Sequence, residues 1–527
     1  MKIANKIRVR FAPSPTGYMH VGNFRTALYD YLFAKKTGGD FILRVEDTDK
    51  KRFIPDALEK LINIMNWAGL DYVEGVYSED GEFIQKGDFG PYIQSERLDI
   101  YQKYAKQLIE SGKAYYCFCA PERLEEMRNE QIAKKQAPMY DRNCLKLSSE
   151  EVEKKIKAGE KYVIRQKIDT EGFTEYEDLI RGKVKIKNDL LDDQVLLKSD
   201  GYPTYNFANV VDDNLMQISH IIRGEEYVSS TPKYIQLYQN FGWNIPKFAH
   251  LPLLLNPDKT KLSKRQGDVS VEDYIKKGYL KEAIINFVAL LGWNPGAGET
   301  QEIFTLEELI QKFDLEKVHK AGAVFDLKKL DWINSQWIKK LQQERPAELY
   351  RRAKSFYMEK EFVKSIFPEK MKDNYLIKVL EVESDRLANL SGAGENNKFF
   401  FQDIDYDKEL LKWKNMSDDK LRYSLQSSRE VLQSIDDAKW EEKLDIFFNA
   451  MQTKLNNKLS PTESGNVINI TQQKELPRKT EDLKTGELYW PLRVALSGEQ
   501  KSPSPIEIAW VLGKNESLKR IEKALSL

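Results

Sequence analysis

The chain is poor in cysteine and histidine, has no excess of either charge, and contains no long apolar run. Of its 527 residues, three are Cys and four are His, and 82 basic residues balance 82 acidic ones. An odd, small number of cysteines argues against a disulfide framework and predicts a reducing compartment, so we expect a cytoplasmic protein. Without a run of 18 apolar residues we expect no membrane span. Zero formal charge excludes a global basic field, so a nucleic acid would have to bind to local patches.

The length and the N-terminal residues narrow the class of protein further. A chain of 527 residues predicts several domains, and an apolar fraction of 41% is ample for buried cores. The N-terminus, MKIANKIRVRF, alternates like a strand and has no long apolar region, so we expect no signal peptide. Neither low-complexity tracts nor internal repeats are present.

The chain is organised around residues 8–49, which predict a strand–loop–helix–strand unit. Residues 8–12 alternate polar and apolar side chains as a strand does, and the prolines and glycine that follow predict a tight loop. A helix is predicted from Val21 until Gly38 and Gly39, and a second strand follows. The buried face of this helix is predicted from apolar residues at three- and four-residue spacing: Val21, Phe24, Leu28, Tyr31 and Leu32.

His20 stands at the predicted N-terminus of this helix, ahead of Gly22 and Asn23. Helix N-termini present unpaired N–H groups and the positive end of the helix dipole, and both favour phosphate. An imidazole can donate to a phosphate oxygen, and Gly22 has no Cβ to hinder the approach of a ring or a backbone. The arrangement predicts a phosphate-binding site.

Two separated motifs carry a family resemblance. PSPTGYMHVGN resembles the first signature of the class I aminoacyl-tRNA synthetases, and APSPTG followed by RVEDTD is similar to their glutamyl/glutaminyl branch. The second signature is matched by the KLSKR loop, residues 261–265. The likeness covers nearly the whole chain, weakens after about residue 345, and is strongest to bacterial-type glutamyl enzymes. It implies an α/β fold with a split doubly wound, Rossmann-like catalytic domain, an α+β insertion, and an all-α C-terminal half.

The resemblance also implies a domain order. The expected segments are the first half of the nucleotide-binding catalytic domain (1–110), an inserted region that binds the tRNA acceptor end and carries a Cys knuckle (111–200), the second catalytic half (201–258), a stem-contact region with the KLSKR loop (259–345), and a helical anticodon-binding region (346–527).

The implied activity is that of a glutamate–tRNA ligase. Such an enzyme activates L-glutamate with ATP and Mg²⁺ and then esterifies the 3′-terminal ribose of tRNA-Glu. We expect a monomer. A buried substrate carboxylate needs a fixed cation, and Arg10 and Arg223 each follow a predicted strand end, while Glu46 can hold the substrate ammonium. The glutamate-binding residues that the resemblance implies are Arg10, Ala12, Ser14, Glu46, Tyr205, Asn209 and Arg223.

The catalytic and ATP-binding residues follow from the two signatures. As pyrophosphate leaves, negative charge builds up on the phosphates, and Lys261 and Lys264 can neutralise it. A loop suits this task because it can close on ATP and reopen. The expected catalytic residues are His20, Gly22, Asn23, Lys261, Ser263, Lys264 and Arg265. The expected ATP-binding residues are His20, Gly22, Glu226 and Lys264.

All three cysteines lie between residues 115 and 144. Cys117 and Cys119 are one residue apart, and Cys144 follows, a set that suits Zn²⁺. Some relatives supply a His two residues after the third Cys, but Lys146 occupies that place and an ammonium group cannot ligate. Other relatives show a Tyr-x-x-x-Cys pair, which Tyr140 fits. Two interpretations stay open: a structural zinc held by Cys117, Cys119, Tyr140 and Cys144, or three reduced cysteines in a metal-free knuckle.

The remaining predictions concern helices. A helix is predicted over 98–110, with Ser95 as its cap, and residues 271–293 are predicted to be mostly helical. From residue 345 the sequence becomes strongly helical, and its end resembles the anticodon-binding region of the glutamyl enzymes. Unpaired anticodon bases are read by stacking and by arginine hydrogen bonds. The candidates for anticodon contact are Arg386, Trp490 and Arg493.

Other interpretations of the same motifs make different predictions. Some glutamyl enzymes also charge tRNA-Gln, and Arg386 resembles a position where Arg favours rejection of that tRNA. A glutaminyl enzyme carries a β-rich anticodon domain, and an enzyme that glutamylates a base of tRNA-Asp lacks a long helical C-terminus. A catalytically inactive tRNA-binding protein would not need the intact His20, Gly22, Lys261 and Lys264.

Overall fold

The structure is a computed structural model, and it describes residues 6–262, 270–296, 298–364, 372–459 and 483–527. The chain forms two compact units. The first comprises Met1–Lys276 and Lys281–Ile333, and the second comprises Lys277–Leu280 and Asn334–Leu527. Within the described ranges, none of the helices has the length and apolar character needed to span a bilayer.

The first unit alternates strands and helices. Its strands are β1 (Arg8–Phe11), β2 (Asp40–Leu43), β3 (Glu74–Glu79), β4 (Glu82–Lys86), β5 (Ala114–Cys117), β6 (Val163–Gln166), β7 (Phe173–Asp178), β8 (Gly182–Lys187), β9 (Val195–Leu197), β10 (His220–Gly224), β11 (Lys247–Leu251), β12 (Leu254–Leu255) and β13 (Ala323–Val324). Its helices are α1 (Val21–Thr37), α2 (Ala57–Ala68), α3 (Leu98–Glu110), α4 (Pro121–Ala133), α5 (Ser149–Lys157), α6 (Tyr205–Leu215), α7 (Thr231–Phe241), α8 (Val271–Lys276), α9 (Lys281–Ala289) and α10 (Leu306–Lys312), and α11 (Leu327–Glu344) continues into the second unit.

Two mainly parallel sheets form the core of the first unit. The first has the order β1-β2-β3-β4, with β1, β2 and β3 parallel, and the second has the order β10-β11-β7-β8, with β10, β11 and β7 parallel. Ser219, just before β10, donates its backbone N–H to the Arg8 carbonyl at 3.0 Å, so the two halves meet at β1. This split parallel arrangement confirms the predicted α/β fold class.

The insertion between the halves is only partly separate from them. Strands β5, β6 and β9 form an antiparallel sheet of their own. The β7–β8 hairpin instead joins the second catalytic sheet, with Asp178 opposite Phe248 of β11. The end of β7 therefore lies beside the catalytic strands.

Helix α1 begins and ends where its sequence predicts. Gly38 adopts φ +64°, and Gly39 donates its N–H to the Ala34 carbonyl at 2.8 Å, which closes the last turn. The predicted apolar face is buried, and Tyr29 and Asp30 on the other faces are fully buried as well. The reason is that α1 packs against β1, β2 and β10 and also against α9 and α10.

The cap predicted for α3 needs correction. Ser95 does not cap this helix: it lies in a separate turn, Gln94–Glu96, and α3 starts after Arg97, whose buried side chain bonds Asp212 at 2.8 Å. Residues 271–293 are mostly helical, as predicted, but they form two helices, because Gly278 adopts φ +74° between α8 and α9 and interrupts the helical backbone.

The second unit is built from helices, as predicted. Leu488 and Leu492 of one helix and Ile506 and Ile508 of another are fully buried, and burying such a side chain stabilises the fold by about 1.5–3 kcal/mol. Its helices beyond α11 are α12 (Pro346–Glu359), α13 (Glu361–Lys364), α14 (Asp373–Glu383), α15 (Asp418–Ser434), α16 (Leu444–Asn456), α17 (Thr485–Ser497) and α18 (Pro505–Ser526).

Candidate active site

A cavity of about 1090 Å³ opens in the first unit where β1 and β10 end and α1 begins. Ligands of doubly wound folds bind at such carboxyl ends of parallel strands. Most of the predicted site residues line it: Arg10, Ala12, Ser14, His20, Gly22, Asn23, Glu46, Tyr205, Arg223, Glu226 and Lys261. The structure therefore brings together side chains that lie up to 251 positions apart in the sequence (261 − 10).

His20 is the N-cap of α1. Its Nδ1 accepts the backbone N–H of Gly22 at 2.9 Å, so in the neutral imidazole the proton sits on Nε2. A Cβ at residue 22 would lie 3.3 Å from this Nδ1, tighter than ordinary contact, which is why glycine suits the position. The cap thus fixes the tautomer in which Nε2 is a donor.

A buried ion network supports Arg10 and Glu46. Asp213 of α6 accepts from Arg10 Nε at 2.9 Å and from Arg44 Nη1 at 2.7 Å, and Arg44 Nη2 donates to Glu46 at 2.9 Å. Burial disfavours the charged form of Asp213, but Arg10 and Arg44 hold the pKa of this carboxyl below its usual value. Asp213 accepts from Nε and Nη2 of Arg10. The remaining nitrogen, Nη1, has no partner among the described residues, so it can donate to a ligand in the cavity.

The ion network continues beyond Asp213, and one buried acid stands outside it. Asp212 accepts from Arg97 Nε at 2.8 Å, so the three arginines of the network face three carboxylates. Asp30 of α1 is fully buried, and neither of its oxygens has a hydrogen-bond partner in the described residues. Burial raises the pKa of Asp30 well above its usual value, which favours the neutral form of this carboxyl.

Arg223, at the end of β10, is a buried cation that has no anionic partner among the described residues. Its side chain is nearly inaccessible, and no carboxylate of the described residues lies within 4.0 Å of it. Instead Nε donates to His250 Nε2 at 3.2 Å and Nη2 donates to Thr231 Oγ1 at 2.7 Å. Burying an unpaired charge is costly, so this site is built to receive an anion from the cavity.

Four other residues are predicted to contact the amino acid, and three of them line the cavity: Tyr205, Ala12 and Ser14 do, and Asn209 does not. The ring of Tyr205 lies 5.1 Å from that of Tyr227, and both rings border the cavity. Ala12 and Ser14 belong to the loop after β1, which the Glu46 N–H holds by bonding the Pro13 carbonyl at 2.9 Å. Asn209 does not border the cavity, although its buried Nδ2 has no hydrogen-bond partner in the described residues.

Of the predicted catalytic residues in the KLSKR loop, the structure describes Lys261. It is exposed and pairs with Leu255 across a narrow turn in which Asp258 accepts the Thr260 N–H at 2.9 Å. Ser263, Lys264 and Arg265 lie outside the described residues.

Sequence reasoning missed a basic rim of the cavity. Lys50, Lys51 and Arg52 follow the EDTD motif, and Lys198 comes from the insertion, and all four border the cavity. The Lys50 ammonium lies 4.6 Å from the centre of the Tyr202 ring. The run KKR directly after the motif is the sequence signal from which this rim could have been predicted.

Comparison with known proteins decides the family. Residues 6–332 match the family described as tRNA synthetases class I (E and Q), catalytic domain, and residues 454–525 match an anticodon binding domain. The glutamate–tRNA ligase of Clostridioides difficile is 45% identical over 98% of each chain, and that of Chloroherpeton thalassium is 44% identical over 98% of this chain and 97% of its own. The chain belongs to the glutamate–tRNA ligase family.

Solved structures of family members agree with this assignment. A glutamate tRNA ligase of Elizabethkingia meningosepticum, crystallised in complex with its amino acid, has a TM-score of 0.80 and 36% identity over 99% of both chains. The glutamate-tRNA synthetase of Elizabethkingia anophelis has a TM-score of 0.78 and 34% identity over 99% of this chain and 100% of its own. The predicted family, the predicted enzyme class and the class I fold with its helical C-terminal half are confirmed.

The three cysteines and Tyr140 come together in the insertion. The three Sγ atoms lie within 4.8 Å of one another, and the Tyr140 hydroxyl lies 3.3 Å from both Cys117 Sγ and Cys119 Sγ. Cys119 Sγ is 3.5 Å from Cys144 Sγ. Ligand atoms around a tetrahedral zinc with Zn–S of about 2.3 Å are roughly 3.5–3.8 Å apart, so this donor set fits the metal. Lys146 is exposed.

The anticodon candidates of this family member are placed differently from one another. Trp490 Nε1 donates to the Leu410 carbonyl at 2.9 Å and its ring lies 5.1 Å from Trp413, so its polar edge is already used. Arg493 is half-buried, and its Nε has no partner in the described residues. Arg386 is exposed and lies before the matched anticodon domain.

Proposed function

We propose that the protein activates L-glutamate with ATP and transfers it to the 3′-terminal ribose of tRNA-Glu. The observation that carries the proposal is the pair of buried arginines at the cavity, Arg10 and Arg223, each held through Nε and Nη2 with Nη1 left without a partner in the described residues. Two fixed guanidinium groups suit the side-chain carboxylate of glutamate, and an amide would not need them.

The other end of the amino acid is assigned to Glu46. Burial raises the pKa of Glu46 against the effect of Arg44 and Arg10, and a bound ammonium would favour its ionised form. Ala12, Ser14 and Tyr205 line the same cavity and complete the glutamate site. Asn209 is also assigned to the glutamate site, because its buried Nδ2 has no hydrogen-bond partner in the described residues.

The chemistry proceeds in two steps. An oxygen of the glutamate α-carboxylate attacks the α-phosphorus of ATP, and pyrophosphate leaves with the bridging oxygen. A ribose hydroxyl of the tRNA then attacks the glutamyl carbonyl, loses its proton, and displaces AMP. His20 Nε2–H, the N–H groups at the start of α1 and the Lys261 and Lys264 ammonium groups oppose the charge on the phosphates during the first step.

The remaining residues assigned to the phosphate site are proposed to shape the entrance and the space that ATP occupies. Asn23 and Glu226 lie at the exposed mouth of the cavity, where ATP enters, and Gly22 keeps the space beside His20 open. Ser263 and Arg265 are assigned to the KLSKR loop on sequence alone. Mg²⁺ supplies charge neutralisation on the ATP phosphates, and we assign it no protein ligand.

The tRNA is proposed to run along the predicted segments. Residues 111–200 would hold the acceptor end, 259–345 the stem and 346–527 the anticodon, with 1–110 and 201–258 as the catalytic halves. Arg493 and Arg386 are the better candidates for contact with anticodon bases, since the indole N–H of Trp490 is already bonded. We further propose a monomer working in the cytoplasm, consistent with three free thiols.

Charging of purified tRNA-Glu and tRNA-Gln with labelled glutamate tests the function. We expect tRNA-Glu to be charged and tRNA-Gln not, and we expect Arg386→Ala to gain charging of tRNA-Gln, while Arg422→Ala, an exposed arginine of α15, does not. Charging of both tRNAs by the unmodified protein would show a dual-specificity enzyme that requires a later amidation. Charging of neither, with no ATP affinity, would mean a catalytically inactive tRNA-binding protein.

The Cys knuckle is proposed to hold a structural zinc through Cys117, Cys119, Tyr140 and Cys144. The proposal rests on the convergence of three thiols and a phenol at distances that suit tetrahedral coordination. Such a metal would fasten β5 to the turn that carries Cys144.

Protein purified without chelators is expected to contain about one equivalent of zinc, since four convergent donors define a closed structural site. Cys144→Ser should lose the metal. Tyr140→Phe should weaken metal binding while its ring keeps its place under Arg165, whose guanidinium lies 4.1 Å from the ring centre. Metal analysis of the three proteins decides the matter, and less than about a tenth of an equivalent in the unmodified protein would establish a metal-free knuckle.

A further inference from the structure

A buried chain of three side chains runs behind the amino-acid cavity. Asp178 ends β7, and His250 lies on β11 directly opposite Arg223 of β10. His250 Nδ1 lies 2.6 Å from Asp178 Oδ2, and His250 Nε2 lies 3.2 Å from Arg223 Nε. All three side chains are at least 95% buried (5%, 0% and 1% exposed for Arg223, His250 and Asp178).

Asp178 is held in its ionised form. Its Oδ1 accepts the backbone N–H groups of Ile180 at 3.0 Å and Arg181 at 2.9 Å, and its Oδ2 accepts from the His250 backbone at 3.2 Å as well as from its ring. Although burial opposes ionisation, the His250 bond and these backbone donors hold the pKa of Asp178 below its usual value. A carboxylate facing Nδ1 therefore requires a proton on that nitrogen.

The other ring nitrogen of His250, Nε2, is then unprotonated in the neutral imidazole and can accept a hydrogen bond. Burial lowers the pKa of His250, and the nearby Arg223 acts in the same direction against the effect of Asp178. Both effects favour the neutral imidazole, and the Nε–H of Arg223 at 3.2 Å requires an acceptor at Nε2. With the proton on Nδ1, Nε2 accepts the Nε–H of Arg223. In the opposite tautomer the Nε2 proton would face the Nε–H of Arg223, and its acceptor among the described residues would be Thr231 Oγ1 at 3.1 Å, which already accepts from Arg223 Nη2.

The chain thereby sets the direction of the Arg223 guanidinium. His250 fixes its Nε edge, and Thr231 fixes Nη2 at 2.7 Å. The rings of Tyr227, Tyr234 and Phe248 surround it, with centres 4.9–5.4 Å from its central carbon. What remains for a ligand is the Nη1 edge, in a plane that the neighbouring residues define. Supporting residues of this kind, which orient a ligand-binding group through its other hydrogen bonds, commonly change affinity by about 10–100-fold.

We propose that Asp178 and His250 are positioning residues that fix the imidazole tautomer and so aim Arg223 at the side-chain carboxylate of the amino acid. This inference rests on the proposed glutamate activity. Asp178 belongs to the β7–β8 hairpin of the insertion. Recognition of the amino acid would therefore also depend on how this hairpin packs against β11.

Asp178→Asn is the variant that tests it. If the amide oxygen stays on the two backbone N–H groups, the amide NH₂ faces His250 and shifts the ring proton to Nε2, against Arg223. We expect the KM for glutamate to rise about 10–100-fold, with the KM for ATP unchanged and a smaller change in kcat. Inhibition by glutamine, which carries no side-chain carboxylate, should not weaken. Asp178→Glu, which restores the carboxylate, should recover part of the loss.

Asp193→Asn is the matched control. Asp193 is a buried carboxylate of the insertion that accepts from Tyr115 at 2.7 Å, Arg142 at 2.6 Å and the Ile168 N–H at 3.0 Å, and it does not border the cavity. We expect its loss to change thermal stability without changing the KM for glutamate. Equal KM changes in both variants would reduce Asp178 to an ordinary structural residue and overturn the proposal.

The tautomer is also measurable in the unmodified protein, so the proposal does not depend on folding of a variant. Nitrogen-15 NMR of labelled histidine distinguishes the ring forms, and the chain has only four histidines to assign. We expect a neutral His250 protonated at Nδ1. A ring protonated at Nε2, or at both nitrogens, would refute the inference. Failure of the unmodified protein to use glutamate at all would instead refute the proposed function and leave the tautomer result standing.

Discussion

Arg223→Ala is expected to lose about 2–5 kcal/mol of glutamate binding, a rise of roughly 30- to 5,000-fold in the KM for glutamate. The effect is large because the guanidinium is buried, has no carboxylate partner among the described residues, and is therefore expected to meet the substrate carboxylate at nearly full charge. Truncation also leaves Thr231 and His250 without their donor. The measurement is steady-state ATP–pyrophosphate exchange over a wide range of glutamate, with tRNA-Glu present.

Two further variants separate charge from shape at this position. Arg223→Lys keeps a positive charge but cannot donate in a fork, so it should recover only part of the affinity. Arg128→Ala, on the exposed face of α4, should behave like the unmodified protein. Inhibition by glutamine should change little in Arg223→Ala. A variant with an unaltered KM for glutamate would show that the substrate carboxylate binds elsewhere.

His20→Ala is expected to slow activation by about 2–4 kcal/mol, or roughly 30- to 900-fold in kcat/KM. Two functions are lost together: the Nε2–H donor to the phosphates, and the cap on the Gly22 N–H, which is worth about 1 kcal/mol of stability. Rates of pyrophosphate exchange and thermal denaturation measure the two separately.

His20→Asn distinguishes these functions. Asn is a good N-cap, so it should restore stability to near that of the unmodified protein, yet it lacks a donor at the place of Nε2 and should stay slow. His319→Ala provides the matched control, since His319 is exposed and does not border the cavity. If His20→Asn were as fast as the unmodified protein, the imidazole would be a helix cap alone, and the phosphate role would have to move to the loop lysines.

The local chain chemistry of the first 50 residues determined much of the fold. Prolines and glycines after β1 mark the loop, the three- and four-residue spacing marks the buried face of α1, and Gly38 marks its end. Each depends only on neighbouring residues and their backbone preferences, so the sequence suffices. The paired signatures were specific enough to identify the family, and the resemblance predicted Arg10, His20, Glu46 and Arg223, all of which line the cavity.

The sequence alone was less informative at the start of α3, where a long-range ion pair, and not a local cap, sets the helix boundary. Ser95 has the right chemistry for a cap, but the buried Arg97–Asp212 pair set the start of α3 instead. Nothing near residue 95 in the sequence announces a partner 117 positions away from it (212 − 95). Strand β1 likewise alternates polar and apolar side chains, yet both kinds are buried because helices and neighbouring loops cover it.

Only the tertiary structure decided how the charged residues of the site are held. The ion pair of Arg10 with Asp213 and the chain from Asp178 through His250 to Arg223 join residues 203, 72 and 27 positions apart. No periodicity encodes such distances, because they arise when strands from different parts of the chain become neighbours in a sheet. The sequence by itself predicted most of the side chains that line the cavity, and the packing of β7, β10 and β11 decided which nitrogen atoms of Arg223 are already bonded within the protein.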